Sequence, residues 1–297
     1  PEKIKAIQDE MARTQINKAT EHHIGLLKAK IAKLKREQEF TAKKESSSKK
    51  DGFSVRRTGD ATVVFIGLPS VGKSTLLNKL TGSHSSIGAF QFTTLTVVPG
   101  VMKHRGAVIQ LLDLPGIIKG ASGGKGLGKR VLSVARNADL VLLILDVFNP
   151  YHEKVLITEL DNIGIRLNQE PPNIVIEKSS SGGISIAKQV KMTKMSEKLL
   201  KQVLNVYGIV SAGVVIREDI SSEQLVDFLI GNRTYTQSLA VLNKIDLVDR
   251  SFLTKFSKKV KTEYVSVSAE SETNIELLKE KIYEKLNFIR IYMKPKG

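Results

Sequence analysis

Residues 67–74 read Gly67-Leu68-Pro69-Ser70-Val71-Gly72-Lys73-Ser74, a G-x-x-x-x-G-K-S run compatible with few folds. It follows a β-rich apolar stretch, Ala61 to Ile66, and opens a helical pattern from about Lys73 to Leu80. In that strand-to-helix setting the glycines let backbone N–H groups turn inward at the positive end of a helix, an arrangement that cradles phosphate oxygens. Lys73 is then placed to reach the β- and γ-phosphates of a nucleotide, the Ser74 hydroxyl to ligate Mg²⁺, and Thr75 to close the binding segment. With glycine at about 7% of residues, chance yields such a run in only about one chain in a hundred of this length.

Further buried-strand candidates are Val108 to Leu112, Leu140 to Leu145, Ser238 to Leu242 and Tyr264 to Val267. They alternate with helical patterns such as Lys154 to Ile163 and Ile275 to Leu286. The expected fold class is therefore α/β, a mostly parallel sheet with helices on both faces. Apolar residues at helical spacing, Ile4, Ile7 and Met11, then Ile24, Leu27, Ile31 and Leu34, predict two helices before residue 40, the second long and basic. From Thr41 to Gly59 the chain turns polar and reads as a linker. Between about Pro171 and Tyr235 the alternation is interrupted by strands at Asn173 to Glu177, Ile184 to Ala187 and Gly213 to Arg217. Helices at Ser196 to Val206 and Ser222 to Leu229 complete this stretch as an inserted small α/β module.

Apolar and charged fractions of 41% and 26% are those of a globular protein. The chain has no cysteine, which excludes disulfides and thiol chemistry and suits a reducing, cytoplasmic or nuclear setting. The longest apolar runs fall far short of the roughly 20 residues that span a bilayer, and the first residues carry no secretory pattern. A net charge of +16 favours polyanions as partners, nucleic acid foremost. It is concentrated in Lys178, Lys188, Lys191, Lys194, Lys198 and Lys201, and in Lys28, Lys30, Lys33, Lys35 and Arg36. A solvated lysine coat is the competing reading of the same charge.

Three more motifs follow predicted strands, where ligands of open α/β sheets bind. Asp113-Leu114-Pro115-Gly116 places a carboxylate to hold Mg²⁺ through water and a Gly116 N–H to sense a γ-phosphate. Asn243-Lys244-Ile245-Asp246 offers, in Asp246, a carboxylate that accepts from both N1–H and the 2-amino group of guanine, which adenine cannot match. GTP is thus expected over ATP, against the alternative of a phosphate-loop ATPase or nucleotide kinase. Ser268-Ala269-Glu270 fits a loop whose backbone touches the guanine oxygen. Phe92-Thr93-Thr94 lies where a mobile loop supplies a second Mg²⁺ ligand, with Thr94 the choice.

In this order the motifs resemble the Obg-like branch of translation-factor GTPases. The flanks Met11-Ala12-Arg13-Thr14-Gln15, His22-His23-Ile24-Gly25-Leu26-Leu27-Lys28-Ala29 and Arg290-Ile291-Tyr292-Met293-Lys294-Pro295-Lys296-Gly297 are similar to those of the developmentally regulated GTP-binding protein (DRG) family. The resemblance implies a P-loop GTPase fold with a helix-turn-helix-like region and linker (1–50), a GTPase core (59–170 and 236–289) and an S5D2-like insertion (171–235). It implies that residues 290–297 begin a TGS domain that is otherwise absent from this sequence. It further implies action with ribosomes or RNA and a dedicated regulatory protein.

Two positions depart from the family pattern. Lys119 stands where an acid is usual, and Ser70 stands where potassium-activated relatives carry Asn, which leaves K⁺ dependence open. In Ras-like switches the residue after D-x-x-G is a glutamine that orients the attacking water. Here that catalytic position is Ile117, which has no donor or acceptor, so slow turnover is expected.

Overall fold

The computed structural model describes residues 2–15, 17, 20–45, 57–82, 98–114, 134–149, 151–249, 251–253, 263–289 and 291. They fall into two compact units, Pro1–Asp51 with Glu170–Arg233, and Gly52–Gln169 with Thr234–Gly297.

The second unit is built on strands β1 (Ala61–Ile66), β2 (Val98–His104), β3 (Ala107–Asp113), β4 (Leu140–Asp146), β5 (Ile165–Leu167), β9 (Thr234–Asn243) and β10 (Tyr264–Ser266). Their order is β10-β9-β4-β1-β3-β2, with β5 paired to the start of β9. All neighbouring pairs are parallel except β2 with β3. Every residue of β1 and β4 is buried, as their unbroken apolar runs require of strands covered on both faces. The pleat divides each strand between two cores. Val64, Ile66, Leu143 and Leu145 meet Leu156 and Leu160 of α4 (His152–Asn162) on one face. Val63, Phe65, Leu142 and Ile144 meet α3 (Lys73–Thr81) and α7 (Ile275–Lys285) on the other.

The sequence reading omits β2 and β5. β2 leads into β3 through the two-residue turn Arg105-Gly106, whose φ values of 49° and 81° match the right-handed twist of a hairpin. Its Pro99 and Gly100 dilute the apolar alternation by which strands are recognised. β5 has only three residues, too few for any periodicity to register.

The first unit joins α1 (Glu2–Arg13) and α2 (Glu21–Glu45) to strands β6 (Ile174–Lys178), β7 (Ile184–Lys188) and β8 (Ala212–Ile216) and helices α5 (Glu197–Val206) and α6 (Ser222–Ile230). The small sheet runs β6-β8-β7, with β8 antiparallel to β6 and parallel to β7. Ser196 caps α5, and Ser221 with Gln224 forms a reciprocal capping box on α6. α2 extends to Glu45, five residues into the stretch read as linker, because Thr41-Ala42-Lys43-Lys44-Glu45 is mostly good helix formers.

The reading keeps the N-terminal helices apart from the insertion, whereas here they share one core. A Cβ on Gly25 would lie 3.1 Å from Leu199 and 3.4 Å from Ser222, at the starts of α5 and α6. Eight residues on, Lys33 Nζ donates to the Val206 carbonyl at 2.8 Å, and Arg36 donates to the Leu229 carbonyl at 3.1 Å. α2 therefore runs alongside α5 and α6 in the same sense, and two of its cations satisfy orphan carbonyls at the negative ends of both helices. Lys28 pairs with Glu223, and Lys188 with Glu197. Four of the cations read as a polyanion footprint thus have internal partners. Among the described residues no helix is long and apolar enough to cross a membrane.

Ala29 is fully buried in this core with Leu200 and Leu204. Ala29→Asp places an unpaired carboxylate there and should cost about 3 kcal/mol or more. Hydrogen exchange is expected to accelerate at the amides of β6 to β8. Unchanged protection in that sheet would show that α2 is not part of its core.

Candidate functional site

The parallel strands end together at Ile66, Asp113, Asp146, Asn243 and Ser266, and the motif loops leave from this edge. Gly72 ends the first loop and caps α3 with φ 88°, a left-handed conformation that suits glycine. A Cβ there would sit 2.4 Å from the Asn243 amide nitrogen, so the position excludes any side chain twice over. Ser70, exposed at the loop's apex, also has a positive φ of 65°.

Lys73 is buried, and its ammonium donates to the carbonyls of Gly67 at 3.2 Å and Leu68 at 3.0 Å. Burial lowers its pKa, while Asp113 pulls it back up. The Ser74 hydroxyl donates to Asp113 Oδ2 at 2.7 Å, which joins the phosphate-loop helix to the end of β3. Asp113 Oδ1 is buried with no hydrogen-bond partner. Burial raises the Asp113 pKa against the opposing pull of Ser74 and Lys73. A buried carboxylate with one oxygen unmatched, next to a hydroxyl, suits a hard divalent cation with oxygen ligands. Leu114 continues β3, its N–H directed to the Phe65 carbonyl at 3.4 Å.

Asn243 is 2% exposed and bonds in two directions. Its Nδ2 donates to the Val71 carbonyl at 3.0 Å, and its Oδ1 accepts from the Ala269 N–H at 3.1 Å. One side chain thereby ties the phosphate loop to the Ser268-Ala269-Glu270 loop. Ser268 is closed by a bridge to Thr273, its N–H directed to the Thr273 carbonyl at 3.1 Å. Lys244 has φ 67° and caps the 3₁₀ turn Ile245–Leu247, which carries Asp246 exposed at the surface.

Of the residues read from sequence, Gly67 to Thr75, Asp113, Leu114, Asn243 to Asp246 and Ser268 to Glu270 thus lie in one unit on one edge of its sheet. Phe92, Thr93, Thr94, Pro115, Gly116, Ile117 and Lys119 lie outside the described residues. One polar residue of this edge escaped the sequence reading. Asp146, 8% exposed at the end of β4, accepts from Lys244 Nζ at 2.8 Å. Its signal was available, because it closes the apolar run Leu140 to Leu145 as Asp113 closes β3.

The fold and the phosphate-loop site define a P-loop GTPase. The family model described as "50S ribosome-binding GTPase" matches residues 62–178, and that described as "C-terminal region of MMR_HSR1 domain" matches residues 181–288. An uncharacterized GTP-binding protein of Methanocaldococcus jannaschii is 52% identical, over 100% of this chain and 76% of its own length. Developmentally-regulated GTP-binding protein 1 of Xenopus laevis is 46% identical, over 99% of this chain and 80% of its own. A crystal structure of Aquifex aeolicus Era bound to GDP·AlF4⁻ is 20% identical, with a TM-score of 0.43, over 78% of this chain and 59% of that one. The chain belongs to the developmentally regulated GTP-binding protein family.

Asn243→Ala leaves the Val71 carbonyl and the Ala269 N–H without their partner in a buried place, where each unsatisfied group costs about 1–3 kcal/mol. A lower melting temperature and a loss of GTP affinity of about tenfold or more are expected. Parent-like affinity by titration calorimetry would mean that the two loops hold their places without Asn243.

Proposed function

We propose that this chain is a Mg²⁺-dependent switch that binds GTP, hydrolyses it slowly and acts with ribosomes or translation factors. The observation that carries the reading is the Asn243 bridge, which brings a phosphate-binding loop and a base-reading loop into one site.

In this reading the loop from Gly67 to Ser74 wraps the phosphates, and Lys73 exchanges its two loop carbonyls for phosphate oxygens. A desolvated ammonium attracts such oxygens more strongly than a hydrated one. Ser74 and, through water, Asp113 would hold Mg²⁺, with Thr94 as a further ligand. When bound, the ion neutralises charge developing on the phosphate oxygens. The orphan Oδ1 of Asp113 supports this fit.

Asp246 reads guanine by accepting from N1–H and the 2-amino group. The amides of Ser268 and Ala269 are already committed to Thr273 and Asn243, so the Glu270 N–H is the donor of that triplet left for the guanine oxygen. Phe92, Thr93, Pro115 and Gly116, which lie outside the described residues, complete the GTP-binding set in this reading, with the Gly116 N–H as the γ-phosphate sensor. Ile117, being apolar, cannot orient water, and phosphoryl transfer depends on that positioning. A switch residue, K⁺ or a partner would then supply the missing group.

The ribosomal part of the reading draws on the net charge of +16 and on the printed description of the matching family model. With Lys28, Lys33, Arg36 and Lys188 engaged internally, the exposed Lys178, Lys191, Lys194, Lys198 and Lys201 remain as a polyanion footprint, joined by Lys30 and Lys35 on α2. Cytoplasmic residence and a dedicated regulatory protein belong to the same reading.

Single-turnover hydrolysis tests it, in Na⁺ and in K⁺, with and without ribosomes. The chain alone in Na⁺ should turn over on the order of 10⁻⁴ to 10⁻² per second, ribosomes or K⁺ should raise the rate, and Lys191→Glu with Lys194→Glu and Lys198→Glu should weaken ribosome binding. Turnover of several per second in Na⁺ alone would contradict a switch held slow. Unchanged ribosome binding by the triple variant would contradict the footprint.

A further inference from the structure

Asp246 recognises guanine only if the turn that carries it holds its shape, and that turn starts from an unfavourable residue. Lys244 has φ 67° and ψ 34°, a left-handed conformation that side chains with a Cβ disfavour, and no side chain caps the 3₁₀ turn that begins there. Two backbone bonds help to fix it, Ile245 N to the Val267 carbonyl at 3.3 Å and Leu247 N to the Lys244 carbonyl at 3.1 Å. Neither grips the Lys244 side chain.

That grip comes from the neighbouring strand. β4 and β9 are parallel with Asp146 in register with Asn243, which places the Asp146 carboxylate beside the residue after Asn243. Oδ1 accepts from the Phe148 N–H at 2.9 Å, which fixes the carboxylate on its own loop. Oδ2 accepts from Lys244 Nζ at 2.8 Å, and the two side chains are only 12% and 32% exposed. A half-buried charge-assisted bond, made by a carboxylate that is itself anchored, restrains its partner more than a fully exposed pair does.

We propose that Asp146 is a positioning residue for guanine recognition: it clamps Lys244, the clamp holds the left-handed start of the turn, and the turn aims Asp246 at the base. The inference rests on the reading of Asp246 as the guanine acceptor. Asp146 touches no nucleotide in this account. Its effect falls on the fit of Asp246 to the 2-amino group, the group that distinguishes GTP from inosine triphosphate.

The test measures affinities for GTP and inosine triphosphate in the parent, in Asp146→Asn and in Lys244→Met, with melting temperature followed in each. Asp146→Asn keeps an acceptor for Phe148 but loses the charge that holds Lys244, so GTP affinity should fall about tenfold and affinity for inosine triphosphate much less. The ratio of the two affinities therefore shrinks. Lys244→Met removes the same bond from the other side and guards against misfolding of the first variant. It should shrink the ratio too, and the double variant should be no worse than either single variant, because both substitutions break one interaction. Equal losses for the two nucleotides in Asp146→Asn, or an unchanged ratio in both single variants, would overturn the role of Asp146 and leave only a structural ion pair. A parent that does not distinguish the two nucleotides, with Asp246→Asn equally indifferent, would overturn the guanine reading itself.

Discussion

Two hydrogen bonds from one buried amide hold the site together. Asn243 satisfies the Val71 carbonyl with its nitrogen and the Ala269 N–H with its oxygen, at the point where strand β9 ends. A primary amide carries its donor and its acceptor on separate atoms of one short side chain, which is what these two bonds require. Gly72 is part of the same constraint, since the amide occupies the space where its Cβ would stand. The phosphate loop, the Ser268–Glu270 loop and the end of β9 are thus fixed against one another by one buried side chain.

Around this frame the charges are poorly matched. Lys73 and Asp113 are both buried, and burial opposes the charged form of each. Lys73 falls back on loop carbonyls, and one Asp113 oxygen has no partner at all. Sites of this kind bind tightly to whatever completes them, because the desolvation cost is already present in the folded chain. In the proposed function an anionic phosphate would answer Lys73, and a divalent cation Asp113 and Ser74. Asp146 and Lys244 differ from this pair, for each already has its counter-ion.

The strands that carry the motifs were legible because central parallel strands are continuously apolar, and the short runs Ala61 to Ile66, rich in β-branched residues, and Leu140 to Leu145 fit that pattern. The phosphate loop was legible because its glycines answer local backbone needs. β2 was not, since Pro99 and Gly100 blur its pattern, and the Arg105-Gly106 turn is a weaker hairpin signal than Asn-Gly. The union of α2 with the insertion could not be read, because Lys33 and Arg36 meet carbonyls more than 170 positions away. A lysine on a basic helix looks the same in sequence whether it faces solvent or a helix end. Asp146 closes an apolar run as Asp113 does, which marks its place at the strand end, but its partner Lys244 could not be read, because only the β4–β9 register brings the two together.

The proposed function requires that guanine nucleotide and a divalent cation complete this site together. Equilibrium titration of the purified chain with GTP and with ATP, each in Mg²⁺ and in a chelator, measures that directly. GTP should bind at least about a hundredfold more tightly than ATP, by analogy with sites that hydrogen-bond a distinguishing group, and the chelator should weaken GTP binding. Equal affinities for the two nucleotides, or GTP affinity indifferent to Mg²⁺, would contradict it.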